Sequence, residues 1–315
     1  MINRILIRLK VIQILYETLI SQTDDDNQVV LIHGRKSLEK ALNEAYKLYI
    51  ALLWLAVELT RERERQIDAA KHKYLPSQND LNPNMRFVKN ELVKEISENQ
   101  EIKKFLNDNP IDWDYEPNFL KNLLSDITNS PAYKDYMEKP TVTYRDDCEL
   151  WKKLYADVIF QSDAFNEELE NKSIYWNDDL LVMGTFVIKS IRQAANSKDS
   201  IHRFRVLSKY KDQEDENFGM KLFSSAFLKR EDYKKYIDEF ISEGWDPERI
   251  AFMDVVILIV AIAELENFPE IPIPVTMNEY TEIASDYSHN KSGQFINGLL
   301  VSVSSKLKKE GKIFK

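Results

Sequence analysis

The sequence predicts an all-α protein. Three observations carry that reading. Apolar residues recur at spacings of three and four along much of the chain. Glycine is scarce, at 7 of 315 residues. Helix interiors exclude glycine, whereas doubly wound sheets and hairpins depend on it for their turns. Prolines (Pro110, Pro117, Pro131, Pro140, Pro269, Pro272, Pro274) fall between the periodic stretches, where a missing N–H costs least.

Residues 3–22 read as an amphipathic helix on Ile5, Leu9, Ile12, Tyr16 and Leu19, with Arg4, Arg8 and Lys10 in its first two turns. Residues 21–27 form a loop. Its aspartates 24–26 lack the glycine and distal glutamate of a calcium loop, so they read as a solvated connection. A long helix, or two in tandem, runs over 36–74 and ends in the alternating run Arg61–Arg65, a solvent-facing pattern. Residues 75–84 break it, and helices follow at about 85–107, 117–128, 145–171 and 176–196.

Further helices are expected at about 216–228 and 230–243. Gly244 suits the position past a helix end, and Asp246-Pro247 suits an N-cap followed by proline at the first helical position. The helix so opened runs through the apolar stretch Val255–Ala263 to about Phe268. The last two helices cover about 275–287 and 291–309.

Composition excludes several classes. Hydrophobic residues make up 43% and charged residues 30%, too apolar for disorder. The single cysteine, Cys148, excludes an internal disulfide and a Cys-based zinc site. A reducing compartment, the cytoplasm, is the expectation. Arg4, Arg8 and Lys10 interrupt the apolar N-terminus, so no secretory signal is read there. The longest apolar runs, Leu48–Val57 and Val255–Ala263, fall short of the ~18 residues that span a bilayer and read as buried helices. No glycine-rich phosphate loop is present. His33, His72, His202 and His289 lack metal-ligand spacing, and no pair of carboxylates stands out as a catalytic couple. The expectation is a protein without catalytic residues, cofactor or metal.

The net charge is −9. Residues 1–22 carry Arg4, Arg8 and Lys10 against Glu17, and residues 301–315 carry Lys306, Lys308, Lys309, Lys312 and Lys315 against Glu310. The two ends are basic and the body is acidic. If the ends meet in space they form a local basic patch, and otherwise they are solvated termini. The stretch 189–211 (Lys189, Arg192, Lys198, Arg203, Arg205, Lys209, Lys211) is also basic. It reads as a second RNA or partner surface, or as a solvated helix face.

Two blocks carry a family resemblance. Arg4–Tyr16, with Gln13, Leu15 and Tyr16 at its end, resembles the arginine-bearing first helix of the NusB family. Trp245, Arg249, Ile250, Asp254, Leu258 and Glu264-Leu265 resemble that family's Trp…Arg-Ile…Asp…Leu…Glu-Leu helix. Ile273-Pro274-Val275 with Asn278-Glu279, then Ser292 with Phe295-Ile296-Asn297-Gly298-Leu299-Leu300, resemble its two closing elements. The resemblance covers residues 1–22 and about 214–315. The stretch between reads as a helical expansion.

The resemblance implies a NusB-like pair of helical bundles. Residues 1–213 would be an N-terminal bundle holding the first family helix and an insertion at about 23–213, and residues 214–315 would be the C-terminal bundle. It further implies an RNA-binding transcription antitermination factor. The implied partners are boxA-type single-stranded RNA, NusE (a ribosomal small-subunit protein) and the RNA polymerase elongation complex. No membrane partner is implied, and a homodimer stays open. The alternative is a scaffold of the same fold that has lost RNA binding.

The candidate RNA-binding residues are Arg4, Arg8, Lys10, Lys291, Gln294 and Phe295. Cations suit phosphates, an outward helix N-terminus suits a phosphate beside Lys291, and Gln294 can donate to a base or phosphate. Phe295, taken from the family signature, either stacks a base or packs in a stripe with Leu299 and Val303. Asn297 and Gly298 read as structural, the glycine allowing close helix approach. The candidate partner-binding residues are Tyr16, Arg249, Asp254 and Glu264. Tyr16 reads equally as core, and Arg249 with the two acids equally as surface ion pairing.

Overall fold

The computed structural model describes residues 2–21, 26–113, 118–199, 203–242, 250–288 and 292–315, with the backbone alone for Asn177 and Ser242. Among these residues there is no β-strand, and the protein is all-α as its composition and periodicity predict. The helices in chain order begin with α1 (Arg4–Ile20), α2 (Asn27–Lys71), α3 (Gln78–Leu81), α4 (Glu91–Glu98) and α5 (Gln100–Asp108). Next come α6 (Phe119–Asn129), α7 (Pro131–Glu138), α8 (Tyr144–Asp157), α9 (Asp163–Lys172) and α10 (Trp176–Ala195). The last five are α11 (Gln213–Leu228), α12 (Arg230–Ser242), α13 (Phe252–Asn267), α14 (Ile273–Tyr287) and α15 (Ser292–Lys309).

Three departures from the expected boundaries trace to a capping side chain. The stretch 85–107 holds two helices because Asn99 ends α4 and its side chain accepts from the N–H groups of Glu101 and Ile102, opening α5. The stretch 145–171 breaks after α8 because the Ser162 side chain caps α9. Pro131 starts a helix instead of separating two: it occupies the first turn of α7, capped by Ser130. The cap read at Gly244, Asp246 and Pro247 lies outside the described residues.

By their contacts the residues form two compact units, Met1–Leu42 with Lys209–Lys315, and Asn43–Ser208. This corrects the division expected at 213/214. The first helix and the opening of α2 belong with the C-terminal helices, because α1 buries its apolar surface against α11 and α13.

In the first unit α13 is the central element. Val256 through Leu265 are all buried, and α1, α11, α12, α14 and α15 pack around them. A helix apolar on every side is stable only when surrounded in this way. Burying each Ile, Leu or Val contributes about 1.5–3 kcal/mol. Gly219 on α11 lets α1 come close: a Cβ there would meet Ile7 Cγ2 at 2.8 Å.

In the second unit the apolar run of α2 is the core, with Leu48 to Leu53 and Leu55 to Val57 buried. Two aromatic side chains donate to its carbonyls: Trp113 Nε1 to Ala51 at 3.2 Å, and the Tyr155 hydroxyl to Leu52. Phe87, Trp151, Tyr155, Phe160 and Phe165 continue this aromatic core, and α8 packs along α10. No helix among the described residues is long and apolar enough to cross a membrane.

Candidate nucleic-acid and partner interface

Arg8 is placed differently from expectation. Its side chain is 3% exposed, and its Nε and Nη2 donate to the two carboxylate oxygens of Glu264 at 2.7 and 2.9 Å. Glu264 is fully buried. Thr276 Oγ1 and the Tyr280 hydroxyl, both on α14, donate to the same carboxylate at 2.9 and 3.0 Å. Glu279 lies 3.5 Å from Arg8 Nη1. The Arg8 guanidinium also lies 5.5 Å from the centre of the Phe218 ring. Burial pushes the Tyr280 hydroxyl well above its usual pKa, and the Glu264 charge adds to the shift. Tyr280 is therefore a neutral donor that helps satisfy the acid. The arrangement ties α1, α13 and α14 together through a satisfied interior ion pair.

Two expectations are corrected by this geometry. Arg8 does not present a cation to RNA, and Glu264 does not face a partner. Lys10 is likewise enclosed, at 2% exposure. The stripe read on α1 is narrower than the face that is buried. Ile5 is exposed, while Leu6, Ile7, Leu9, Val11, Ile12, Ile14 and Leu15 are all buried. A helix surrounded on most sides takes its embedded cations inside with it.

Arg4 keeps partial exposure. Its Nε donates to Asp215 Oδ1 at 2.8 Å, Nη2 is 3.5 Å from Glu214, and the group lies 5.1 Å from the Phe218 ring centre. It therefore pins the start of α1 to the first turn of α11. Asp254 is buried in the first turn of α13, where its Oδ2 accepts from Ser292 Oγ at 2.9 Å. It joins the first turns of α13 and α15 and is no surface acid. Tyr16 is half-buried, and its ring centre lies 5.4 Å from that of Phe252, which is exposed. Lys291 and Arg249 lie outside the described residues.

On α15, Gln294 is exposed and Phe295 half-buried. Asn297 and Gly298 are exposed too, and a Cβ on Gly298 would meet nothing within 4 Å. The expected close approach occurs instead at Gly293, whose Cβ would meet Ser285 Oγ at 2.3 Å and the Thr281 carbonyl oxygen at 3.1 Å. The two basic ends meet at the tail and not along α15: Lys315 reaches the Phe268 carbonyl, and the Phe268 ring lies 4.9 Å from the Phe218 ring that Arg4 covers. α1 lies against α11 and α13, while α15 lies against α12, α13 and α14. Lys306 reaches Glu239, Lys312 reaches Glu310 and the Tyr236 hydroxyl, and Lys315 donates to the Phe268 carbonyl. Lys306, Lys312 and Lys315 are thus engaged within the unit, while Lys308 and Lys309 are exposed. No group of three or more metal-ligating side chains is present among the described residues.

Fold and site together define an all-helical protein whose candidate surface is a helix face, with its acids and cations used mainly to join helices. The chain belongs to the NusB family. The model described as "NusB family" matches residues 183–305, so the match begins within α10, earlier than the 214 that the sequence resemblance indicated. Relatives named "Transcription antitermination protein NusB" include those of Koribacter versatilis, at 43% identity over 104 residues (32% of this chain, 70% of the relative), and Acetivibrio thermocellus, at 36% over 91 residues (29% and 62%). The namesake of Levilactobacillus brevis is 44% identical over 64 residues (20% and 45%). No solved structure matches the chain.

Proposed function

We propose that this chain is a transcription antitermination factor that binds boxA-type single-stranded RNA together with NusE and joins the RNA polymerase elongation complex. The observation that carries the RNA reading is the strip at the start of α15. There the exposed Gln294, Asn297 and Gly298 form one face, and the half-buried Phe295 lies at its edge beside Gly298, inside the stretch matched by the family model. A flat ring beside amide side chains and an open glycine offers stacking and base-edge hydrogen bonds, the means by which unpaired RNA is held. Arg4 is the first-helix cation left within reach of a phosphate. The exposed Phe252 beside Tyr16 supports a protein-facing role for that pair.

The burial of Arg8 and Lys10 favours a second reading, a scaffold of the family fold without RNA binding. Titrating labelled boxA-like RNA, with and without NusE, separates the two. The first reading expects tighter binding with NusE and a loss of ~1–3 kcal/mol in Phe295→Ala. Wild-type affinity in Phe295→Ala assigns the ring to packing. No RNA binding by the unmodified chain in either arm leaves the scaffold.

A further inference from the structure

Within the basic stretch that begins at Lys189, two arginines are held by internal pairing. Arg203 pairs with Glu95 at 2.8 Å and lies 3.4 Å from the Tyr144 ring centre, and Arg205 lies 3.7 Å from Asp199. Lys189 and Arg192, on α10, are both exposed, and neither has an ion-pair partner among the described residues. They stand at one end of an open groove of about 460 Å³ between α10 and the segment that follows α8. The floor is the Phe160 ring, seated against α10 because Gly184 carries no Cβ. A Cβ there would meet the ring at 2.9 Å. The wall is a stripe on α10. Leu181, Ile188 and Arg192 recur at seven and then four residues and so share one face. Leu181 is 82% exposed.

We propose that this groove receives an amphipathic helix of a partner protein, whose leucine-like side chains cover Leu181, Ile188 and Phe160 and whose carboxylates meet Lys189 and Arg192. Charge selects this occupant. On a chain of net charge −9, two uncompensated cations beside an exposed leucine form a local site for negative charge where the overall field repels it. The apolar stripe ending in cations is the pattern read by helix-in-groove recognition, with anchors at i, i+4 and i+7. The family-matched strip on α15 takes no part, so this proposal stands apart from the RNA reading.

The test is fluorescence anisotropy on the full chain with a helical peptide of about 14 residues, ~21 Å long. The peptide carries leucines at i, i+4 and i+7 and glutamates in one terminal turn, and its counterpart carries lysines in their place. The acidic peptide should bind saturably and at least about tenfold more tightly than the basic one, a difference of ~1.4 kcal/mol. Leu181→Asp, at a site too exposed to disturb folding, should abolish binding. Lys189→Glu with Arg192→Glu should reverse the preference, and Phe295→Ala should change nothing. Three results overturn the proposal: no saturable binding of the acidic peptide up to ~1 mM, equal binding of both peptides, or variants that bind like the parent. A short oligouridine that binds and is lost in the charge-reversed variant would assign the cations to nucleic acid and overturn it as well.

Discussion

Arg8 and Glu264 lie 256 positions apart in the chain and meet through two parallel hydrogen bonds in the interior. The pair converts what reads as a basic surface helix into a helix anchored at its centre. It also gives α14 a reason for its position, since Thr276 and Tyr280 complete the same carboxylate's shell.

Removing one member of that pair should be costly. Arg8→Ala or Glu264→Ala leaves an enclosed charge without its partner, and equilibrium denaturation should show a loss of ~3–5 kcal/mol. Arg8→Met combined with Glu264→Leu should recover only part of it: no charge is left to desolvate, but the buried Thr276 and Tyr280 hydroxyls lose their acceptor. A single variant as stable as the parent would contradict the burial of the pair.

The two glycines of α15 should respond in opposite directions. In Gly293→Ala the new methyl meets the Thr281 carbonyl oxygen at 3.1 Å, a backbone atom that cannot rotate away as the nearer Ser285 hydroxyl can. Thermal denaturation should show a destabilisation of about 1–3 kcal/mol. Gly298→Ala places its methyl in open space and should stabilise the helix by up to ~1 kcal/mol. If RNA lies on this strip, the same Gly298→Ala variant binds it less tightly while melting higher.

The salt dependence of RNA binding reports which cations touch phosphate. Each contact to a single strand contributes a slope near −0.7 in log affinity against log salt. Arg4→Ala should flatten the slope by about 0.7, whereas Lys10→Gln, measured where the protein is folded, should leave it unchanged. A flattened slope in Lys10→Gln would restore Lys10 to the RNA surface.

Acid should loosen the start of α8. The Lys139 ammonium, with the hydroxyl and N–H of Thr143, holds the Asp146 carboxyl down at about 2. A depressed carboxyl stabilises the folded state above its ordinary value near 4, and the contribution is lost as pH falls through about 2. Asp146→Asn should therefore reduce stability at neutral pH by ~0.5–2 kcal/mol, the range for losing a cap, and the gap to the parent should close between about pH 4 and 2. A gap that persists at low pH would assign the effect to shape instead of charge.

Much of this was legible along the chain. Scarce glycine and three-to-four spacing identify an all-helical protein, because backbone hydrogen bonds and side-chain periodicity are local. The runs Leu48–Val57 and Val255–Ala263 announce core helices, and both are core. The elements missed were short ones whose signal lies in a single capping side chain, such as Asn99 and Ser162. Of the candidate site, exposure of Gln294 agrees with its place at the start of α15, whereas Arg8, Lys10, Asp254 and Glu264 are inside.

The sequence by itself determined the fold class, the order of the main helices and the family, since each is written in residue type and spacing within a segment. Only the tertiary structure decided which charges are surface and which are joints. A charged residue among apolar neighbours can face solvent or a partner charge brought from a distant helix. Burying it is tolerated only if that partner arrives with matching geometry. For Arg8 the partner comes from α13, and no pattern within α1 could reveal it.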